Sequence, residues 1–131
     1  MPDILATDVT YTERAGTKVR VAGTRLLSRN VVRVQFGNGT LTYPVGGVPL
    51  TVTKLGLTTE VQAVEVHVNV PNTAGTPASQ PLWVWNGSRT APKLIGYEVN
   101  AAGGGDEALL QLDGGTDAPG ANDLEVVVVG F

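Results

Sequence analysis

Short runs of alternating apolar and polar residues, many of them built on valine, follow one another along the chain and are cut by glycine, proline and Asn-Gly pairs. That punctuation belongs to β-structure, since a helix would repeat its apolar positions every three or four residues over ten or more. In Val31-Val32-Arg33-Val34-Gln35-Phe36 the side chains of Val32, Val34 and Phe36 fall on one side and those of Arg33 and Gln35 on the other, as in a half-buried strand. Residues 61–68 alternate as cleanly, with Val64, Val66 and Val68 facing one way and Glu65 and His67 the other. Gly37-Asn38-Gly39 predicts a hairpin turn, because both residue types tolerate positive φ, and Thr40-Leu41-Thr42-Tyr43 is then the returning strand.

Residues 17–26 are β-prone and broken at Gly23, while Pro44 and Gly46-Gly47 end the strand expected over 40–43. Thr51-Val52-Thr53-Lys54-Leu55-Gly56-Leu57 predicts one helical turn: Thr51 caps its start, and Gly56 takes a left-handed conformation that folds Leu57 back on Val52. Pro71 begins an aperiodic polar loop through Pro81, expected to project from the body. Leu82-Trp83-Val84-Trp85 is apolar on both faces, as expected of a central strand or of one whose outer face meets another subunit; Asn86-Gly87 turns the chain, and residues 93–99 return it. Residues 107–112 and 124–129 supply the last strands. The expected architecture is all-β: an antiparallel β-sandwich or jelly-roll-like barrel of about eight short strands with at most one short helical turn. Residues 1–16, polar with scattered apolar side chains, read as an N-terminal arm, and 17–131 as a single β domain.

Composition narrows the function classes. The 131 residues contain no cysteine, so disulfides, thiolate metal sites and cysteine nucleophiles are unavailable. A charged fraction of 16% beside a hydrophobic fraction of 42% points to a surface that is partly covered by partners or rich in neutral polar groups. The net charge of −3, with no Lys/Arg cluster interleaved with aromatics, argues against a nucleic-acid partner. Met1-Pro2-Asp3 does not open a secretory leader and no apolar run approaches membrane-spanning length, which predicts a protein neither exported nor membrane-inserted.

No catalytic constellation emerges, and the chain reads as a non-enzyme without cofactors or metals. His67 is the only histidine, on the polar side of a strand beside Glu65, and one imidazole makes neither a zinc site nor a triad. Asp106, Asp113, Asp117 and Asp123 are loosely spaced carboxylates that match no calcium loop and read as turn residues. Gly103-Gly104-Gly105 lacks the Lys-Ser/Thr and the helix start of a phosphate cradle. Trp83 and Trp85 share a face and read as core or subunit interface; with Tyr97 they would otherwise form an aromatic platform for a sugar.

The segment Val34-Gln35-Phe36-Gly37-Asn38-Gly39-Thr40-Leu41-Thr42-Tyr43-Pro44-Val45-Gly46-Gly47-Val48-Pro49-Leu50-Thr51, followed by Leu55-Gly56-Leu57, resembles a family of small tailed-bacteriophage structural proteins encoded with the head genes. In that family an F-G-[DN]-G…T-Y-P-x-G-G-[VI]-P-L stretch leads into a short Leu-Gly turn. The Trp83 strand, Lys93-Leu94, Gly115-Thr116-Asp117 and the valine-rich strand ending Gly130-Phe131 continue the pattern, so that the resemblance spans about residues 17–131, with the 71–81 loop as a departure. It implies a capsid decoration, or cement, protein made in the host cytoplasm, which sits on the outer surface of the virion head and bridges major capsid subunits, often as a homotrimer. The footprint expected under this reading is Tyr43, Pro44, Val48, Pro49 and Leu50, the N-terminal arm, and the face of Trp83 and Trp85. A tail, fibre or baseplate component and a carbohydrate-binding β module are the competing classes.

Overall fold

A computed structural model describes residues 2–21, 25–75, 80–99 and 109–131. Its strands are β1 (Thr10–Val21), β2 (Arg25–Phe36), β3 (Val48–Pro49), β4 (Val61–Val70), β5 (Leu82–Trp85), β6 (Lys93–Val99), β7 (Leu109–Gln111) and β8 (Asn122–Gly130). One antiparallel sheet runs β1-β2-β8-β4; the other runs β3-β6-β5, with β7 also paired to β6. The chain is therefore all-β, with two antiparallel sheets whose apolar faces enclose a common core, as the alternation predicts.

In the first sheet, Val32 lies opposite Val126 and Val34 opposite Leu124, all four buried. β8 is paired at both edges, by β2 and β4, and its valines alternate between the core side, Val126 and Val128, and the half-buried outer side, Val127 and Val129. β4 is an outer strand: Val61 is buried, Val64 and Val66 are half-buried, and Val68 is 46% exposed, so the predicted alternation is present but its cover thins along the strand.

The hairpin expected at Asn38-Gly39 does not form. Both edges of β2 are already taken, by β1 and β8, which leaves no ladder position for residues 40–43. Instead, the Asn38 side-chain carbonyl accepts the N–H groups of Thr40 and Leu41, each at 2.8 Å, and the chain swings away. Thr42 then bridges Asp3 in parallel: Ile4 N–H donates to Thr42 C=O and Thr42 N–H to Pro2 C=O, both at 2.9 Å.

Nor is the N-terminal segment a free arm. Ile4 and Val9 are buried in the core, and the boundary expected after residue 16 falls inside β1, which pairs with β2 from Thr10 onward. The few apolar residues of this segment are the ones that insert, while its polar majority reflects the position of β1 at the sheet edge.

The predicted turn before Gly56 is a 3₁₀ turn, Thr53–Leu55, closed by Gly56 at φ 81° and by Leu57 N–H donating to Val52 C=O. Its N-cap is Val52, with no side-chain cap; Thr51 contributes its carbonyl, which accepts Lys54 and Leu55 N–H. A second 3₁₀ turn, Ala6–Asp8, lies before β1. The two described ends of the 71–81 loop lie against the body: Asn72 is buried and Gly75 bridges Pro119 at one end, and Gln80 Nε2–H donates to Asn122 Oδ1 at the other. Gly103-Gly104-Gly105 and Asp106 lie outside the described residues.

Candidate interaction surface

The stretch that carries the family resemblance is a structural junction between the two sheets. Phe36 closes β2 and meets the Trp83 ring edge-on, with centroids 4.8 Å apart. Gly37 follows at φ 90°, and a Cβ there would lie 2.1 Å from the Gly120 carbonyl oxygen, so only glycine allows this approach. Tyr43 is fully buried, and its hydroxyl accepts Gly96 N–H at 3.3 Å and Gln111 Nε2–H at 3.1 Å. Its backbone is fixed as well, with Tyr43 N–H donating to Asp117 C=O and Gly115 N–H to Tyr43 C=O. One residue thus ties the 40–47 segment to β6, β7 and the 113–117 turn.

Trp83 is the second tie. Its indole N–H donates to Asn122 Oδ1 at 2.9 Å, Gln80 Nε2–H reaches the same oxygen at 3.1 Å, and Asn122 Nδ2–H donates to Gly120 C=O. Gly96 lies opposite Trp83 in the β5–β6 pair; a Cβ there would come within 2.8 Å of the indole, so its absence makes room for the ring. Trp85 points to the same side, half-buried, with its N–H on Ser88 C=O.

Parity then assigns the outward side of this sheet. Leu82 and Val84 alternate with the inward tryptophans and are 53% and 42% exposed. Leu82 lies opposite Tyr97 and Val84 opposite Ile95 across β5–β6; on the β7 side Leu109, 54% exposed, lies opposite Val99. Leu82, Val84, Ile95, Tyr97 and Leu109 therefore form an apolar outer face across three strands, where a solvated antiparallel sheet would carry polar side chains. Lys93 and Pro49, opposite each other in the β3–β6 pair, extend it at one end.

Of the residues expected as footprint, Tyr43, Val48, Leu50 and Trp83 are core. Their rings and branches fill the space between the sheets and cannot meet a partner. Trp85 and Pro44 are half-buried, and Pro49 alone lies on the outer face just described. Nor do Trp83, Trp85 and Tyr97 make one platform, since the tryptophans face inward and Tyr97 outward. The Trp83/Trp85 side of β5 faces the core, and the exposed side of the same strand carries Leu82 and Val84. The usable signal was Gly96, which marks the inner parity of β6 and therefore, through the register, that of β5.

The remaining polar groups are structural. Arg33 and Asp123 make a two-pronged ion pair, with Nε–H donating to Oδ1 at 2.9 Å, and Asn69 Nδ2–H adds a bond at 3.1 Å. The Arg33 hydrogen bonds hold the Asp123 carboxyl at about 2, against the opposing effect of burial, and the same pairing raises Arg33. Asp123 also borders a cleft of about 570 Å³ between Asp8, Asn38, Leu41 and Val70. Asp117 accepts Asp113 N–H at 2.7 Å and closes its own turn. Burial, then Asp117 and Asp113, push Glu98 upward. Among the described residues no three His, Asp or Glu side chains converge as metal ligands. His67 is exposed, with Nε2 3.0 Å from Glu65 Oε1. No protein-family model, curated protein or solved structure matches the chain.

Proposed function

We propose that this chain is a structural protein of a phage virion, a decoration protein that lies on the outer surface of the head and braces neighbouring major capsid subunits. The observation that carries the reading is the outer face of Leu82, Val84, Ile95, Tyr97 and Leu109, an apolar surface on a chain of low charge. Further support comes from the resemblance, because its distinctive residues, from Phe36 to Leu50, build the junction that sets the two sheets together. A family sharing that stretch would share the frame that presents the face.

In this role the protein works by contact alone. Three copies, the number the resemblance implies, each add a modest footprint, and linked footprints exceed a single one by about 10²–10⁴-fold in avidity. Opening the shell then requires these contacts to break together. Co-sedimentation with undecorated heads tests the reading: the wild-type chain is expected to pellet with them, and the double variant Leu82→Lys/Val84→Lys to remain in the supernatant with an unchanged melting temperature. Wild-type protein that stays in the supernatant, or a variant that still pellets, would refute it. Labelled particles separate head from tail attachment.

A further inference from the structure

Among the described residues, the outer edge of β4 differs from those of β1, β5 and β7. Edge strands normally resist pairing through Lys, Pro, mid-strand bulges or shortness. β5 has four residues and β7 three. β1 carries Arg14, Lys18 and Arg20 in its sequence, and a bulge between Glu13 and Ala15 interrupts it. β4 has ten residues, VQAVEVHVNV, with neither Lys, Arg nor Pro. Its register shifts lie only at its ends, between Val61 and Ala63 and between Val68 and Val70, so residues 63–68 form an uninterrupted ladder with β8 on one side. On the other side β4 comes near β5 at the corner of the sandwich, where Val61 N–H donates to Arg89 C=O before that regular stretch begins.

The pattern of this stretch is complementary to itself. In an antiparallel pair of two identical strands centred on Val66, Val64 lies opposite Val68, and Glu65 lies opposite His67 of the second copy, twice over. The valines fall on one face and the carboxylate–imidazole pairs on the other, as in the parity seen within one chain. Both Glu65 and His67 are more than half exposed, with side chains 68% and 55% accessible, and Val68 is 46% exposed, so each can meet a partner without repacking.

We propose that β4 is a homotypic docking edge, at which two copies of this chain pair residues 64–68 antiparallel about a two-fold axis through Val66. The sheet β1-β2-β8-β4 then continues into the same sheet of the second copy, and each His67 comes to lie opposite a carboxylate of its neighbour as well as beside its own Glu65. This goes beyond the head-binding reading and does not need it. The outer apolar face belongs to the other sheet and stays open. A two-fold contact produces even-numbered assemblies: dimers alone, or two trimers joined edge to edge.

The chain has no cysteine, which makes a cross-linking test clean. Facing residues of an antiparallel pair hold their Cα atoms about 4.5–5.5 Å apart, within the span of a disulfide. Val66→Cys is therefore expected to form a disulfide dimer on mild oxidation, whereas Val64→Cys, facing Val68, is not; Val64→Cys/Val68→Cys is expected to regain it. Sedimentation equilibrium of the wild-type chain at up to about 500 µM should give two or six copies, because a contact this small is expected to be weak. Glu65→Lys, at an exposed position, should weaken association at least about tenfold with an unchanged circular dichroism spectrum. Monomers or trimers at every concentration overturn the proposal, as does Val64→Cys cross-linking as readily as Val66→Cys. Head binding that fails while the Val66→Cys dimer forms refutes only the earlier reading, and the converse refutes only this one.

Discussion

The two sheets are joined by different means. In the first, long strands pair over extended registers, and β2 and β8 do so without a break from Ser28↔Gly130 to Phe36↔Asn122. The second consists of short strands, two residues in β3 and three in β7, and what fixes it against the first is a small number of buried side chains: Tyr43, Trp83 and Asn122. A ladder distributes its stability over many backbone bonds, so one side chain matters little to it. A sheet fastened at a few points depends on each of them.

Several substitutions test that contrast, and the largest effect is expected at Trp83. Trp83→Ala removes the edge-on contact with Phe36 and vacates the space beside Gly96; a loss of about 3–5 kcal/mol in urea denaturation is expected. That is a large share of the stability of a domain this size. Asn122→Ala leaves the indole N–H without its acceptor in a buried setting, and should cost about 1–3 kcal/mol in the same assay. Tyr43→Phe keeps the ring and deletes the oxygen that serves Gly96 and Gln111; roughly 1 kcal/mol is expected, with Gly96 N–H exchanging faster with deuterium.

Acid acts on the first sheet instead. The folded pKa of Asp123, about 2, lies below the ordinary 3.8, so its contribution is complete above about pH 4 and is lost as pH falls toward 2. Melting temperatures of the wild type should fall over that window more steeply than those of Asp123→Asn. The smallest change in stability belongs to Leu82→Lys/Val84→Lys, within about 0.5 kcal/mol per exposed site, although head binding is expected to be lost. A collapse of the fold in this last variant would mean that the outer face is itself part of the fastening.

The first sheet was legible because period-2 alternation is a direct imprint of a buried face. Val32, Val34 and Phe36, and again Leu124, Val126 and Val128, fall where parity puts them. β6 is found with its predicted limits, Lys93–Val99, and the predicted turn is present with Gly56 left-handed at its end, though without the Thr51 side-chain cap. Pairing was less legible. Asn38-Gly39 carries the local chemistry of a hairpin, yet local chemistry cannot reveal that β2 has β8, almost ninety residues away, as its second neighbour. Ile4 and Val9 were hidden for a similar reason, since Ile4-Leu5-Ala6 and Val9 stand in a polar stretch without the alternation that would reveal a buried face. At the candidate surface the difficulty was chemical: tryptophan suggests an interface, and here its large ring serves the interior while smaller Leu82 and Val84 meet solvent.

Strand β8 follows both of its neighbours in the chain, and the middle of the first sheet is filled last as the polypeptide is made. Until it emerges from the ribosome, β2 lacks one of its two ladder partners and β4 lacks β8, and the valines that will face Leu124, Val126 and Val128 stay wet. Contacts so distant in sequence close slowly, on a timescale of about milliseconds to seconds. The nascent chain therefore passes through an interval in which two sticky borders are open, and a stalled or truncated product would be prone to aggregate.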